Sequence, residues 1–327
     1  MPDASVRRAS GGLGRVVAAA AGVAVLALVA RPLVAMAALP LAALVAASRP
    51  RSHAEFVTGG AAAGLAGYWL LLSGDLPDQV ARSAALLATF IFVTVTLLTR
   101  LSFTHRALFA SAGAAIGVTL QLAAVGVSFH ELRWWVAHRT GYAARWLVGG
   151  IWSGTAPAAD STIIETRPAA GQIEELFLDV VPAVANYYPA LLALELFVAF
   201  AIALAIYHRI TKSPQGLPLG RFRNFRFSEH LGWVPAMALL VILVPSLAAG
   251  RLAATNVLIV AAALYALRGF AVVAFGVQTV GGGVFLVVLS AVILFFLLPI
   301  VLAGALVLGV VDAGFNLRRR WAPAQRQ

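Results

Sequence analysis

The chain has no cysteine in its 327 residues, which excludes disulfides, iron–sulfur clusters and thiolate zinc sites. Charge is scarce as well: Asp, Glu, Lys and Arg make up 11% of the residues, against about 25% in ordinary globular domains. Thirteen carboxylates and six histidines leave little material for acid–base or metal chemistry. Lys212 is the sole lysine, so arginine carries almost all of the +11 net charge. No GxxxxGK[ST] phosphate loop occurs, and the chain does not energise anything by its own nucleotide hydrolysis. His130-Glu131 lacks the second histidine of an HExxH zinc site, because position 134 is Trp134. Gly281-Gly282-Gly283 follows no strand and reads as a turn between helices. The basic residues lie mostly between apolar segments, which is a membrane pattern rather than a nucleic-acid footprint. No catalytic residue, metal, cofactor or nucleic-acid partner is expected.

What the chain has in excess is apolar surface, at 61% hydrophobic residues. A soluble protein cannot hide that share. The fold class is all-α: a polytopic transmembrane helical bundle with the lipid bilayer as its first partner, one integral membrane domain over 1–327. A span needs roughly 20 apolar residues to cross about 30 Å of hydrocarbon, and by that measure there are about eight. They are read at 13–30, 56–72, 83–98, 107–127, 189–206, 231–248, 255–275 and 283–311. Segment 33–47, bracketed by Arg31-Pro32 and Arg49-Pro50 and carrying Pro40, is a thin or re-entrant helix. Arg7, Arg8 and Arg15 before an Ala-rich run resemble a secretory signal, but apolar segments continue at once, so a retained first helix is expected. The arginine and alanine excess suggests GC-rich coding, hence a multi-pass protein of a bacterial cytoplasmic membrane.

Lys and Arg in short loops mark the cytoplasmic side. Three loops are basic: 49–53, 100–106, and the stretch with Arg209, Lys212, Arg221, Arg223 and Arg226. The segment around Asp75 and Asp78 and the long region 130–179 carry acids and belong outside. The chain is accordingly read with an extracytoplasmic interfacial insertion at 128–185 and a basic cytoplasmic loop at 209–230. Within the insertion, 129–152 interleaves Trp134, Trp135, Trp146 and Trp152 with arginines and suits a helix in the headgroup layer. Residues 153–171 read as a mobile loop and 173–184 as a short amphipathic helix. Splitting 283–311 at Pro299 into two short helices brings Arg318, Arg319 and Arg320 inside.

Ionisable residues within apolar spans are the sharper signal, since a mid-membrane charge costs about 2.5–3.5 kcal/mol on insertion scales. Glu195 and Arg268 each fall near the middle of a span, and Arg268 is the natural counter-ion for Glu195. Tyr188, seven residues before Glu195, shares its helical face. Gln121 and Asn256 complete a candidate ligand-binding set. The pair is either a solute or proton site or a buried structural ion pair. Gly60 with Gly64 and Gly113 with Gly117 are spaced for close helix packing, internal or with a partner.

The stretch 189–209 (PALLALELFVAFAIALAIYHR), the loop 222–233 (FRNFRFSEHLGW), Asn256, Arg268-Gly269, Leu298-Pro299 and the ending Gly309 to Arg318 around Asp312 together resemble the YybS-like family of bacterial membrane proteins (domain of unknown function 2232). Leu39-Pro40-Leu41 with Arg49 fits that family's first hairpin, while Asn316 stands where an acid is commoner and the Trp-rich region has no counterpart. More distantly the chain is similar to the substrate-binding membrane subunits of energy-coupling-factor transporters. That resemblance implies a small solute bound within the bundle and ATP hydrolysis supplied by another protein. The competing reading is a non-transporting assembly or regulatory protein that docks a cytoplasmic partner through its basic loop.

Because there is no native cysteine, single cysteines report sidedness without background. An Arg223→Cys variant is expected to resist an impermeant thiol reagent in intact cells and to react after permeabilisation. Labelling in intact cells overturns the orientation.

Overall fold

In hydrocarbon no water is at hand for backbone N–H and C=O groups, so an apolar span must satisfy them within itself, and helices do so. A computed structural model of the chain describes residues 31–48, 50, 52–153, 167–279, 298–315 and 317. Among these all regular structure is helical: α1 (Arg31–Ala47), α2 (His53–Leu71), α3 (Leu76–Leu98), α4 (Phe103–Val125), α5 (Phe129–Ser153), α6 (Arg167–Ile210), α7 (Trp233–Leu243), α8 (Arg251–Thr279) and α9 (Leu298–Phe315). Short 3-10 turns occupy Phe222–Asn224, Glu229–Gly232 and Pro245–Gly250. Four stretches are long and apolar enough to cross a membrane: Leu76–Leu98, Phe103–Val125, Val180–Ile210 and Pro245–Gly276. Pro32–Ala47, Trp233–Leu243 and Ile300–Phe315 are shorter apolar helices. The expected span 13–30, the glycine turn at 281–283, the first part of 283–311 and Arg318 to Arg320 lie outside the described residues.

Local chemistry explains where the helices depart from the apolar runs. Asp75 caps α3 by accepting from the Asp78 N–H at 3.2 Å, with Pro77 in the first turn, so the helix begins ahead of its apolar run. Gly126, at φ 77°, ends α4 in the left-handed conformation that a glycine adopts without strain. The expected single span 231–248 is broken: Val244, preceding Pro245, is extended, and the chain re-forms only as a 3-10 turn. The expected separate helix at 173–184 and the loop reading of 167–171 are corrected. Both are part of α6, which runs through Pro182 and Pro189 and, at 1.5 Å per residue, is about 66 Å long.

Two compact units are present. The first takes 1–129 and 194–219. Its described helices are α1 to α4 and the last part of α6, and an aromatic core joins three of them. Phe92 of α3 stacks on Phe200 of α6 at 4.2 Å, and Phe103 of α4 meets Phe92 and Phe197 edge-on. Gly113 and Gly117 of α4 lie against Ile91 and Leu87 of α3, so this glycine pair serves internal packing, whereas Gly60 and Gly64 face open space.

The second unit takes 130–193 and 220–327. In α5, Leu132 and Val136 are buried while Trp134 and Trp135 are exposed, with Trp134 stacked on His138. The helices α8 and α9 pack backbone to backbone. A Cβ on Gly269 would overlap the backbone of Ala305, and one on Gly309 that of Tyr265. Those two pairings run in opposite senses, so α9 is antiparallel to α8, and Phe315 points toward the Arg251 end of α8. The loop 222–232 packs on the other side of that span, at Tyr265 and Arg268.

A side chain at Gly269 has nowhere to go. Gly269→Leu is expected to lower stability by at least 1–3 kcal/mol, the usual range for overpacking, while Gly60→Leu leaves it within about 0.5 kcal/mol. Tryptophan-fluorescence melts in detergent measure both; equal effects would contradict the packing described.

Candidate functional site

Arg268 is 2% exposed and Asp312 is fully buried. The guanidinium donates from Nε to Asp312 Oδ2 at 2.8 Å and from Nη2 to the Asp312 carbonyl oxygen at 3.0 Å. Its cationic carbon lies 5.2 Å from the centre of the Phe227 ring, which meets Tyr265 edge-on. The counter-ion of Arg268 is therefore Asp312, not Glu195. Glu195 belongs to the part of α6 in the first unit, and its side chain is exposed. Arg268 stands about 26 Å along α8 from Arg251, and its guanidinium reaches Phe227 of the basic loop.

Asn256 has a structural task. Its Oδ1 accepts from the Ala190 N–H at 3.0 Å, and its Nδ2 donates to the Asn186 and Leu252 carbonyls at 3.1 and 2.9 Å. Asn186 is the residue four before Ala190, so in a regular helix those two backbone groups would bond each other. Pro189 clashes with the preceding turn and lacks an N–H; the Asn256 amide bridges the step. Tyr188 is half-buried, and Gln121 is exposed on α4. Of the five residues chosen from the sequence, Arg268 and Asn256 have separate partners within the second unit, and Glu195 and Gln121 are exposed in the first.

The groups missed by sequence reasoning gather at one end of the first unit. There the loop 211–219 is tied down three times. The Lys212 N–H donates to Glu55 Oε1 at 2.8 Å, the Gln215 N–H to the Tyr207 hydroxyl at 2.9 Å, and Arg106 Nη2 to the Leu217 carbonyl at 2.8 Å. Glu55 is positioned by the start of α2, where Ser52 accepts the Glu55 N–H. This is the S-x-x-E spacing of a capping box, with the carboxylate turned to the loop. Three basic segments that charge sorting assigned to one side are hence adjacent in this unit. The Asp75–Asp78 turn, at the start of α3, lies at the opposite end of that helix.

Arg106 sits in the first turn of α4 on the face that continues through Ala110, Ala114 and Val118, and it is fully buried. Its cationic carbon lies 5.9 Å from the Phe92 ring centre. Beyond the bond to Leu217, its Nε and Nη1 have no hydrogen-bond partner, nor have the buried Thr96 and Thr211 hydroxyls and His208 Nε2. His208 lies within the electrostatic reach of Arg106. A cavity of about 390 Å³ opens alongside, lined by Thr96, Leu97, Leu98, Thr99, Arg100, Gly216 and Leu217. Gly216 forms the wall toward Arg106: a Cβ there would stand 3.1 Å from Nη1 and 2.8 Å from Thr96 Cγ2. Buried donors without acceptors thus stand beside a cavity that has no carboxylate in its lining.

The fold defines an integral membrane protein of helical type. Residues 162–313 match the family model described as Predicted membrane protein (DUF2232), which agrees with the domain-of-unknown-function part of the resemblance. The match takes in Asn256, Arg268 and Asp312 but not α1 to α4. No curated protein and no solved structure matches the chain.

Removing one partner of a buried ion pair leaves an uncompensated charge and typically costs about 3–5 kcal/mol, whereas replacing both by apolar groups is often neutral. Arg268→Met and Asp312→Leu are each expected to show that loss in detergent melts, and the double variant to recover most of it. Glu195→Gln is expected to change stability by less than about 0.5 kcal/mol. Additive losses at Arg268 and Asp312 would contradict the pairing.

Proposed function

We propose that the protein binds or helps transport a small solute across a bacterial cytoplasmic membrane, without an ATPase of its own, and that the solute is an anion taken at the Arg106 end of the first unit. The observation that supports this reading is a fully buried guanidinium with two of its three nitrogens unpartnered beside a cavity. A structural arginine in a low-dielectric interior is held, as Arg268 is, by a carboxylate and further acceptors. Arg106 is held by one carbonyl. The rest of its hydrogen-bonding capacity is free for an incoming acceptor, and the desolvation already suffered makes that acceptor's charge count for more. The alternative is a docking platform for a cytoplasmic protein: the loop segment 211–219 spends backbone groups on Glu55, Tyr207 and Arg106, which leaves the exposed side chains of Lys212, Arg221 and Arg226 to such a partner.

Anionic solutes are expected to raise the melting temperature of the purified protein in a panel that also holds neutral and cationic ones. Saturation at 100 times the dissociation constant corresponds to about 2.7 kcal/mol. Arg106→Met is expected to leave ligand-free stability unchanged or higher, since it removes an under-satisfied charge, and to abolish the anion effect. A loss of several kcal/mol in ligand-free Arg106→Met would assign the residue to structure alone.

A further inference from the structure

The lining of the same cavity says more about the anion. Arg106 stands behind the Gly216 wall rather than in the lining, and its Nε and Nη1 lie on different edges of the guanidinium plane, so one anion engages one of them. Thr96, 1% exposed with its hydroxyl unpartnered, adds a third donor direction. Arg100, exposed and at the cavity wall, supplies a second positive charge. A carboxylate presents two oxygens in one plane with a single charge. A phosphate monoester presents three oxygens around a tetrahedral centre and carries about −1.5 to −2 at neutral pH, so separate oxygens can take one Arg106 nitrogen, the Thr96 hydroxyl and Arg100, and its charge answers two arginines.

The remainder of the cavity is apolar. Leu97, Leu98 and Leu217 line it and are themselves exposed, Leu98 at 78%. They sit at the end of the membrane-length helix α3 and in the loop that closes on it. The volume exceeds what one phosphate group fills, and the leucines next to the arginines provide an apolar surface for whatever the phosphate is attached to. Gly216, in the left-handed conformation at φ 76°, keeps the wall between cavity and guanidinium free of a side chain.

We infer that the anion is a phosphate monoester group, held by Arg106, Arg100 and Thr96, with its apolar portion resting on Leu97, Leu98 and Leu217. The inference rests on the anion reading above and narrows it to one ligand chemistry. Two sources supply that chemistry, a membrane lipid with a terminal phosphate and free phosphate from the aqueous side.

The test uses the full-length protein in nanodiscs of phosphatidylcholine, with tryptophan-fluorescence melts as the readout. Phosphatidic acid supplies the monoester on a lipid, phosphatidylglycerol a diester on the same lipid, and inorganic phosphate and succinate serve as soluble anions. The expected result is stabilisation by phosphatidic acid well above that by phosphatidylglycerol, competed by inorganic phosphate and not by succinate. Arg106→Met is expected to remove the shift. Arg100→Gln, an exposed substitution that leaves the fold intact, is expected to weaken binding about tenfold, the value of one charge-assisted contact. Inorganic phosphate stabilising as strongly as phosphatidic acid supports the phosphate site with the aqueous source. Equal stabilisation by phosphatidylglycerol or succinate, still dependent on Arg106, overturns the phosphate inference and leaves the anion reading standing. Absence of any Arg106-dependent shift overturns both.

Discussion

A polar group that leaves water for a helical membrane bundle has to find its partner inside the protein, because an unsatisfied one costs several kcal/mol there. The second unit meets that demand at its centre with two devices. Asn256 carries an amide donor and acceptor to the two backbone groups separated by Pro189, so a helix-breaking residue is kept within a membrane-length segment. Arg268 and Asp312 neutralise each other where Gly269 and Gly309 let α8 and α9 touch. The ion pair and the glycine contact depend on each other. Without the glycines the helices stand too far apart for the ion pair to close, and without the ion pair that tight interface would bury two charges.

The first unit meets the same demand incompletely, and the place where it fails is informative. Its loop 211–219 is pinned by a carboxylate, a phenol and a guanidinium, so the backbone crossing the end of the helices is well satisfied. The side chains beneath it are not. Arg106, Thr96, Thr211 and His208 each keep at least one buried polar atom without a partner, in a unit whose aromatic core is otherwise closely packed. Native interiors leave few such atoms, and a cluster of them around one cation beside a cavity calls for an acceptor from outside the chain. The contrast between Arg268 and Arg106 is one of partners: the first is held by a carboxylate and a carbonyl, the second by one carbonyl.

The helical class and most helix positions were legible in the sequence because apolar runs at bilayer length leave few alternatives. Boundaries moved where caps and prolines act locally, at Asp75, Gly126 and Pro245. The candidate site was less legible, for two physical reasons. Glu195 and Arg268 attract notice because they interrupt apolar segments, yet a one-dimensional count says nothing of which face a helix turns inward, and Glu195 is exposed. Asp312 and Arg106 sit at the ends of such segments, where charge is ordinary. Helical periodicity carried the missing signal: Arg106 shares a face with Ala110, Ala114 and Val118, and Asp312 shares one with Ala305 and Gly309, all of them buried.

One consequence follows from the way Arg106 divides its hydrogen bonds. Nη2 holds the loop at Leu217, while Nε and Nη1 of the same rigid plane are free for a ligand. An anion that bonds either nitrogen fixes the guanidinium, and through it the carbonyl of Leu217 and the wall residue Gly216. Anything that draws the loop away from α4 withdraws both the wall and one of the contacts that orient the cation. Ligand and loop therefore act on the same two or three hydrogen bonds, and by linkage whatever strengthens one must strengthen the other. Glu55 and Tyr207 set the strength of that coupling, because they hold the loop from its other end and limit how far Leu217 can move when Arg106 is unoccupied.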